Sequence, residues 1–553
     1  MPKLLPPENG IVVRMYRIGH GDCFLLALPR NHLSSRPEPA GGVEGPLVAR
    51  SSGTRPQPSD RVSTEREIPR QARDDDEVEG PLSSSDPVYI LIDCGYKPGS
   101  NSEEFLHGKS AADIVAHLRE ACGGKLDLAI ATHEHQDHLN AIWKKRSPYF
   151  GKFEIDETWL AWTEKPDDRL AKRLRKANHD RLLGLIAARN KLAQALGADN
   201  PNVRQIDLLL GLESGEDPGA AATPESIFAA ADPAKSVNKQ GLKLLKDKAA
   251  GRGVRYLYPG EGPIALPETR VKVYVLGPPY SEELIEDEDP KDAEEFPDDQ
   301  PHGFSLGAAA RSDFGGESPF ANRYGIPFED ARNGENAFFT AHYGYGDEGD
   351  SARDNIEVAD DAPFRRIDAD WLLSATDLAL AMAQGTNNTS LVLAFELPQT
   401  KKVLLFIGDA QRGSWVSWAD LKWTVDGAEV TTRDLFGRTV LYKVGHHGSH
   451  NATLNGTATD AWPNLAWMAT GSAAGEFTAM ITAVNKWALE KAEWNHPLPA
   501  IKTALEQKTA GRLFQTDTDT LTKPTEVSPA AWKTFTDRAT IDDLFFDYTI
   551  FDR

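Results

Sequence analysis

Cysteine is scarce in this chain, which has only Cys23, Cys94 and Cys122 among its 553 residues. The count is odd and no two cysteines form a C-x-x-C pair, which argues against a disulfide framework and against a thiolate zinc site. Any bound metal ion would therefore rest on nitrogen and oxygen ligands.

Long apolar runs and positive charge are also in short supply. The N-terminus lacks a charged stretch followed by an apolar run and a small-residue cleavage site, so we expect no secretory signal, no membrane association and a cytoplasmic protein. Lysine and arginine number 61 against 83 aspartates and glutamates, which gives a formal net charge of −22. Such a negatively charged surface disfavours non-specific nucleic-acid binding, but it does not exclude a cleft with a locally positive charge.

What is present is an ordinary globular composition with alternating strand and helix patterns. Hydrophobic residues make up 40% of the chain, enough to build a sizeable core. Amphipathic helices are predicted at Ser110–Ala121, Arg169–Leu196 and Trp371–Ala383. Strands are predicted at Val88–Asp93, Leu126–Thr132, Arg255–Tyr258, Val271–Leu276, Ser390–Phe395, Lys402–Ile407 and Val440–Val444, and a hairpin at Ile11–Leu28. The alternation indicates an α/β fold.

Two stretches interrupt this pattern. Residues 31–86 are rich in Ser, Pro, Gly, Arg and Asp and repeat the pentapeptide VEGPL, so we predict a disordered low-complexity insertion. Residues 143–384, including strands near 253–279, are interpreted as an insertion that covers or shapes a site. The remaining divisions are 1–30 with 87–142 and 385–530 as the two halves of one domain, and 531–553 as a C-terminal tail.

Chemistry-bearing residues follow three predicted strands. The cluster His133, Glu134, His135, Gln136, Asp137, His138 lies just past the strand that ends at Thr132. Asp409 follows Gly408 after a second strand, and His446 follows Gly445 after a third.

Imidazole and carboxylate are ligands for zinc, manganese or iron, and a two-metal site needs several of them in convergence. We predict that His133 and His135 bind one ion and that Asp137 and His138 bind another about 3.5–4 Å away. Asp409 would bridge the two, and His446 would complete the second ion. Two such cations would convert a water molecule into a hydroxide nucleophile near neutral pH.

The order of these motifs resembles the metallo-β-lactamase superfamily, and more narrowly the hydrolase domain of ComEC-type DNA-uptake proteins and their stand-alone relatives. About half of the chain carries the resemblance. The matching motifs are Gly19-His20-Gly21-Asp22-Cys23, Ile92-Asp93-Cys94-Gly95, the His133–His138 cluster, Asn387-Asn388-Thr389-Ser390-Leu391, Gly408-Asp409, Tyr442-Lys443-Val444-Gly445-His446-His447-Gly448-Ser449, Asn495-His496-Pro497 and Thr516-Asp517.

The resemblance implies a four-layer αββα sandwich with the metal site at one edge. It assigns the six ligands named above, and it leaves His447 as the alternative to the adjacent His446. It makes Asp93 a buried carboxylate that orients the ligand loop, and it places His496 facing the site, where it would hold a substrate oxygen or protonate a leaving group. We therefore take Asp137, His447 and His496 as the catalytic residues.

One departure concerns the first ion. Most members of the superfamily carry a further histidine ligand in a Gly-His-Thr turn, whereas this chain has Asn387 and Asn388, as ComEC-type members do. Amide oxygen is a poorer ligand than imidazole. Two alternatives therefore remain: the site binds two zinc or manganese ions, or it binds a single ion. We predict no membrane-channel segment in this sequence, so the resemblance does not imply DNA transport.

Three functions remain in competition. The leading hypothesis is a phosphodiesterase or nuclease-like hydrolase, since two metal ions suit in-line displacement at phosphorus. The second is hydrolysis of a small-molecule ester, lactone or phosphocholine-type ester, which an apolar, aromatic-lined cover would favour over an open groove lined by lysine and arginine. The third is a non-catalytic partner-binding component. The sequence leaves the oligomeric state open.

Overall fold

The computed structural model describes residues 3–31, 86–144, 147–215, 235–297, 379, 382–383 and 385–553. The predicted low-complexity insertion, apart from residues 31 and 86, lies outside the described residues. The same holds for both VEGPL repeats, for most of the central insertion beyond residue 297 and for most of the helix predicted at 371–383.

Strands make up the centre of the described part. They are β1 Gly10–Tyr16, β2 Cys23–Leu28, β3 Val88–Cys94, β4 Lys125–Ala131, β5 Trp143–Lys144, β6 Ser147–Pro148, β7 Glu154–Ala161, β8 Ala249–Leu257, β9 Ile264–Ala265, β10 Lys272–Gly277, β11 Val392–Glu396, β12 Val403–Phe406, β13 Lys422–Val425, β14 Ala428–Thr431, β15 Thr439–Lys443, β16 Thr478–Ile481, β17 Leu513–Gln515, β18 Ala539–Ile541 and β19 Phe545–Phe551.

Helices connect and flank these strands. They are α1 Ala111–Ala121, α2 Gln136–Leu139, α3 Arg169–Leu196, α4 Pro201–Ser214, α5 Val237–Lys248, α6 Glu282–Ile285, α7 Arg412–Ser417, α8 Thr432–Gly437, α9 Asn485–Trp487, α10 Pro499–Thr509 and α11 Pro529–Thr536. The described chain is thus a mixed α/β protein, as the strand and helix alternation predicted. None of its described helices has both the length and the apolar character that a membrane crossing requires.

Two mixed sheets organise the strands. The eight-stranded sheet has the order β18-β19-β1-β2-β3-β4-β7-β8, in which β3, β4, β7 and β8 run parallel. The seven-stranded sheet has the order β17-β16-β15-β12-β11-β10-β9, in which β12, β15, β16 and β17 run parallel. Parallel neighbours bring the carboxyl ends of their strands to one edge, where ligand sites commonly form.

The alternation of side chains along a strand explains how the two sheets share a core. On β2, Phe24 and Leu26 point into a cluster that also holds Phe406 and Leu404 of β12. The rings of Phe24 and Phe406 meet edge to face with their centroids 5.4 Å apart. Cys23, Leu25 and Ala27, on the opposite face of the strand, join a different cluster, which includes residues of α1 and α5. Strands β1, β2 and β3 of the eight-stranded sheet are therefore buried on both faces, which is why they are apolar almost throughout.

Helices α3 and α4 form a small unit of their own. Leu185 of α3 and Ile206 of α4 belong to one buried cluster. The guanidinium of Arg189 donates two hydrogen bonds of 2.7 Å to the carboxylate of Asp207, so the two helices are also tied by a buried bidentate ion pair. Bidentate geometry fixes orientation as well as distance.

Two of our predicted boundaries differ from the structure. The segment 531–553 is not a tail, because β19 pairs antiparallel with β1 along its whole length and carries β18 on its other side. The strands near 253–279 do not belong to a separate cover either: β8 extends the first sheet beside β7, and β10 pairs with β11 in the second. In both places a buried partner strand was available to pair with a stretch that we had set apart from the core.

Candidate metal centre

Five chain segments converge at one edge of the two sheets. Asp93 lies at the end of β3, the His133–His138 cluster follows β4, and Asp409 follows β12. His446 and His447 follow β15, and Asp22 lies in the turn between β1 and β2. The structure thus brings together residues that are more than 400 positions apart in the sequence.

Asp93 accepts hydrogen bonds from the loop that follows β4 and carries the His133–His138 cluster. Its side chain is fully buried and accepts hydrogen bonds from the backbone N–H of Thr132 at 2.8 Å and from the Thr132 hydroxyl at 2.7 Å. Nδ1 of His138 lies 2.8 Å from the same carboxylate. We assign a proton of His138 to Nδ1, so that Nε2 is the nitrogen that faces the centre.

His447 is held in the same manner from the other sheet. Its Nδ1 lies 3.0 Å from the carbonyl oxygen of Thr482, to which it donates, and its Nε2 lies 3.1 Å from Oδ2 of Asp137. Nε2 of His447 is also 3.4 Å from Oδ2 of Asp409. Nε2 of this ring therefore faces two carboxylates.

His133 and His135 form a second pair of imidazoles. Nδ1 of His133 lies 3.1 Å from the hydroxyls of Thr132 and Ser390, which leaves its Nε2 facing inward. Nε2 of His135 lies 3.0 Å from Oε1 of Glu213, which leaves its Nδ1 facing inward. The two inward nitrogens are 3.1 Å apart.

Several buried side-chain nitrogen and oxygen atoms at this edge make no hydrogen bond within the described part of the chain. They are His138 Nε2, Asp137 Oδ1, Asp409 Oδ2 and Asn387 Oδ1. Buried polar atoms are nearly always paired, because leaving one without a partner costs its full desolvation energy. A cation at this position would satisfy these atoms, so the residues present fit a metal ion.

The spacing of the atoms agrees with that reading. A tetrahedral zinc ion with bonds of about 2.0–2.1 Å separates its nitrogen and oxygen ligands by about 3.3 Å. His138 Nε2 lies 3.1 Å from Asp409 Oδ2, and His447 Nε2 lies 3.4 Å from the same oxygen. The inward nitrogens of His133 and His135 are separated by 3.1 Å.

The charges at this edge also compensate one another. Although burial raises it, the neighbouring His138, His447 and Lys443 bring the pKa of Asp409 well below its usual value. Burial lowers the pKa of His447, but the carboxylates of Asp409 and Asp137 outweigh it and raise that pKa to about 9. Protons on these imidazoles balance the buried carboxylates in the protein without metal, and a divalent cation would replace them.

Asp22 and Lys443 belong to this edge although our sequence interpretation gave them no role. Asp22 forms, with His138, Asp409 and His447, a buried group that could hold a metal ion, since one ligand atom of each lies within 4.8 Å of the others. However, the two oxygens of Asp22 are already engaged, by Nζ of Lys443 at 2.5 Å and by the hydroxyl of Thr482 at 2.6 Å. Lys443 also donates to Asp409 Oδ1 at 3.3 Å. The sequence feature that could have indicated Asp22 is its position in the Gly-His-Gly-Asp turn, which matches a motif of the family.

The structure separates the two adjacent histidines that the sequence left open. His446 and His447 both have positive φ angles, 40° and 53°, in the tight turn after β15. The ring nitrogens of His446 lie beside side-chain amides, 3.2 Å from Nδ2 of Asn387 and 3.4 Å from Nε2 of Gln411. His447 therefore faces the carboxylates, whereas His446, which we had preferred as the ligand, faces the cleft.

Asn387 and Asn388 also differ in their surroundings. Asn387 lies beside His446 with its carbonyl oxygen unpaired. Asn388 donates to the backbone oxygens of Ile285 and Asp287 and accepts from the backbone N–H of Gln411, so its amide is fully used in holding loops together.

A cleft opens above these residues. His496 lines it, is 8% exposed, and has its Nδ1 3.4 Å from Nε2 of the buried His20. Burial and the neighbouring His446 and His20 lower the pKa of His496 well below its usual value, so the ring is neutral. The described lining has neither lysine nor arginine. It combines an apolar part, Leu209, Leu212, Ala383, Trp494 and Leu498, with histidines and with the polar side chains of Asp137, Asn387, Ser449, Glu493 and Asn495.

No protein-family model matches this chain, and comparison with curated proteins and with solved structures gave no match either.

Proposed function

We propose that this chain is a metal-dependent hydrolase that binds two divalent ions, zinc in preference to manganese, at the edge of an αββα sandwich of the metallo-β-lactamase type. The observation that carries the proposal is the set of four buried imidazoles, each with one ring nitrogen engaged by a polar atom and the other facing a shared centre. Such fixing of the outer nitrogen is the usual mark of metal-ligating histidines.

We assign the ligands from this geometry. The second metal position comprises Asp137, His138, Asp409 and His447, whose facing atoms lie 3.1–3.4 Å apart. His133 and His135, whose inward nitrogens are 3.1 Å apart, would hold the first ion, at the first metal position, and we expect the oxygen of Asn387 and the carboxylate of Asp409 to serve as its further ligands. Asp22 stays outside the ligand set as the partner of Lys443.

The chemistry of the centre follows from these ligands. Bound divalent ions lower the pKa of a coordinated water molecule and stabilise negative charge on the attacked group. Asp93 keeps the proton of His138 on Nδ1, and Thr482 does the same for His447. His496 presents a neutral ring to the cleft, where its N–H is suited to hold a substrate oxygen.

The side chains that line the cleft indicate which class of substrate it suits. Its described lining has an apolar wall of Leu209, Leu212 and Trp494 and offers no lysine or arginine side chain for a phosphate backbone. We therefore favour the phosphodiester of a small molecule over a polynucleotide. The apolar wall also supports a second candidate, a small-molecule carboxylic ester or lactone.

A substrate panel tests this function. Purified chain loaded with zinc or manganese is expected to hydrolyse bis-p-nitrophenyl phosphate or p-nitrophenyl butyrate faster than a single-stranded oligonucleotide, because the small probes suit a cleft that has an apolar wall and no described lysine or arginine to bind a phosphate backbone. Release of p-nitrophenol and gel analysis of the oligonucleotide are the measurements. A His138→Ala variant is the control. Rates for all three substrates no higher than those of that variant would contradict the proposal and favour a non-catalytic role.

Matched substitutions of the adjacent histidines test the ligand assignment. We expect His447→Ala to weaken metal binding by more than the roughly 10- to 100-fold that loss of an outer hydrogen-bond partner costs, because a direct ligand is removed. His446→Ala should leave metal affinity nearly unchanged, since the ring faces amides and the cleft. Competition with a fluorescent zinc chelator measures both. A larger loss in His446→Ala than in His447→Ala would reverse the assignment.

A further inference from the structure

Glu213 is a buried carboxylate that lies outside every motif of the sequence. It stands at the C-terminal end of α4, its side chain is 5% exposed, and its Oε1 lies 3.0 Å from Nε2 of His135. The helix that carries it comes from the region between β7 and β8, which sequence interpretation treated as a cover.

The carboxylate of Glu213 gathers donors from three other parts of the chain. Thr386, directly before Asn387, donates its hydroxyl to Oε1 at 3.0 Å. Asn178 of α3 donates its amide to Oε2 at 3.2 Å. Each oxygen thus has a fixed partner, so the carboxylate has little freedom to turn away from His135.

The position of Glu213 is itself secured by backbone contacts. The side-chain amide of Asn238, on α5, donates to the backbone oxygens of Leu212 at 2.7 Å and Glu213 at 3.2 Å. The same amide reaches the backbone oxygen of Glu134 at 3.4 Å. The end of α4 and the ligand loop are therefore held by one group, which fixes the distance between Glu213 and His135.

We propose that Glu213 is the positioning residue of the first metal position, an inference that rests on the metal-dependent hydrolase proposed above. By accepting a hydrogen bond from Nε2–H of His135, it sets the tautomer that presents Nδ1 beside Nε2 of His133. A carboxylate behind a ligating imidazole also makes that imidazole a stronger ligand.

This role would matter most at the first metal position because the third ligand expected there is weak. Asn387, whose side-chain oxygen is buried and unpaired, would offer an amide oxygen where a further imidazole would bind more tightly. Glu213 offsets this loss through His135, while the second metal position has its own supports in Asp93 and Thr482. The inserted helix α4 is thereby part of the metal centre.

The test is a metal titration that resolves the two positions. Full-length protein is stripped with a chelator and titrated with cobalt(II) and with zinc, followed by visible absorption and by calorimetry. We expect Glu213→Gln to weaken the first metal position about 10- to 100-fold and leave the second unchanged. Glu213→Ala should weaken the first position at least as much, since no oxygen remains to accept from His135.

Controls separate this role from a structural one. Glu286→Gln alters a half-exposed carboxylate of the same neighbourhood that pairs with Arg181, and it should bind both ions as the unaltered protein does. Thermal unfolding of each metal-stripped variant reports on packing alone. Unchanged affinity at the first position in Glu213→Ala, or equal weakening of both positions, would overturn the role of Glu213. Failure of the unaltered chain to bind any metal would instead overturn the proposed function.

Discussion

Replacement of Asp409 by asparagine is expected to lower turnover about a thousandfold, because the several kilocalories per mole of charge stabilisation that a metal ion supplies correspond to about that factor in rate. Oδ2 of Asp409 faces Nε2 of both His138 and His447 at 3.1 and 3.4 Å, so it is the atom common to the second metal position. The amide keeps the shape of the side chain but removes the negative charge that two cations would share.

The measurement is the turnover of the best substrate of the panel, with bound metal determined in the same preparation. Glu429→Ala, on the exposed strand β14, is a matched loss of one carboxylate far from the centre and should have full activity. If Asp409→Asn retained a tenth or more of the activity with both ions bound, the shared-carboxylate assignment would be wrong.

Substitution of Asp93 by alanine is expected to reduce the free energy of unfolding by about 3–5 kcal/mol, as removal of one partner from a buried ion pair does. The change would leave the backbone N–H and hydroxyl of Thr132 and Nδ1 of His138 without their acceptor. Asp93 also has a φ of 54°, a conformation that aspartate and asparagine tolerate better than alanine.

Asp93→Asn separates these contributions. It keeps the tolerance of positive φ and one acceptor oxygen, so we expect a smaller loss of stability than in the alanine variant, together with weaker metal binding because His138 loses a charged partner. Urea denaturation of the metal-free proteins measures the stability of all three. An alanine variant as stable as the unaltered chain would show that the Asp93 network does not hold the ligand loop.

Many of the strands and helices could be predicted from the local pattern of apolar and polar residues. The two β-rich runs around the turn Gly19–Asp22 predicted a hairpin, which β1 and β2 form. The run Arg169–Leu196 predicted a helix with the bounds that α3 has. The C-terminal strand was missed although Phe546, Tyr548 and Ile550 alternate with more exposed residues, the signal of a half-buried strand. Its partner β1 lies more than 500 residues away, so nothing local indicated that pairing.

The residues of the candidate site could be predicted only where they lie close together in the sequence. The group His133–His138 stood out because several metal-ligand types occur within six positions. Glu213 carries no such signal, since a glutamate near the end of an amphipathic helix is ordinarily solvated. The choice between His446 and His447 depends on backbone angles in a turn, which neighbouring residue types do not determine. The residues that support the candidate centre therefore became apparent only from tertiary contacts, whereas most of the candidate ligands could be proposed from the sequence.

Anomalous diffraction from zinc-soaked crystals of the full chain tests the metal centre most directly. The account predicts two peaks about 3.5–4 Å apart. One should lie within bonding distance of Nε2 of His138 and His447, and the other within bonding distance of Nε2 of His133 and Nδ1 of His135. Absence of any peak at this edge of the sheets, or zinc bound only at other sites, would contradict the central claim.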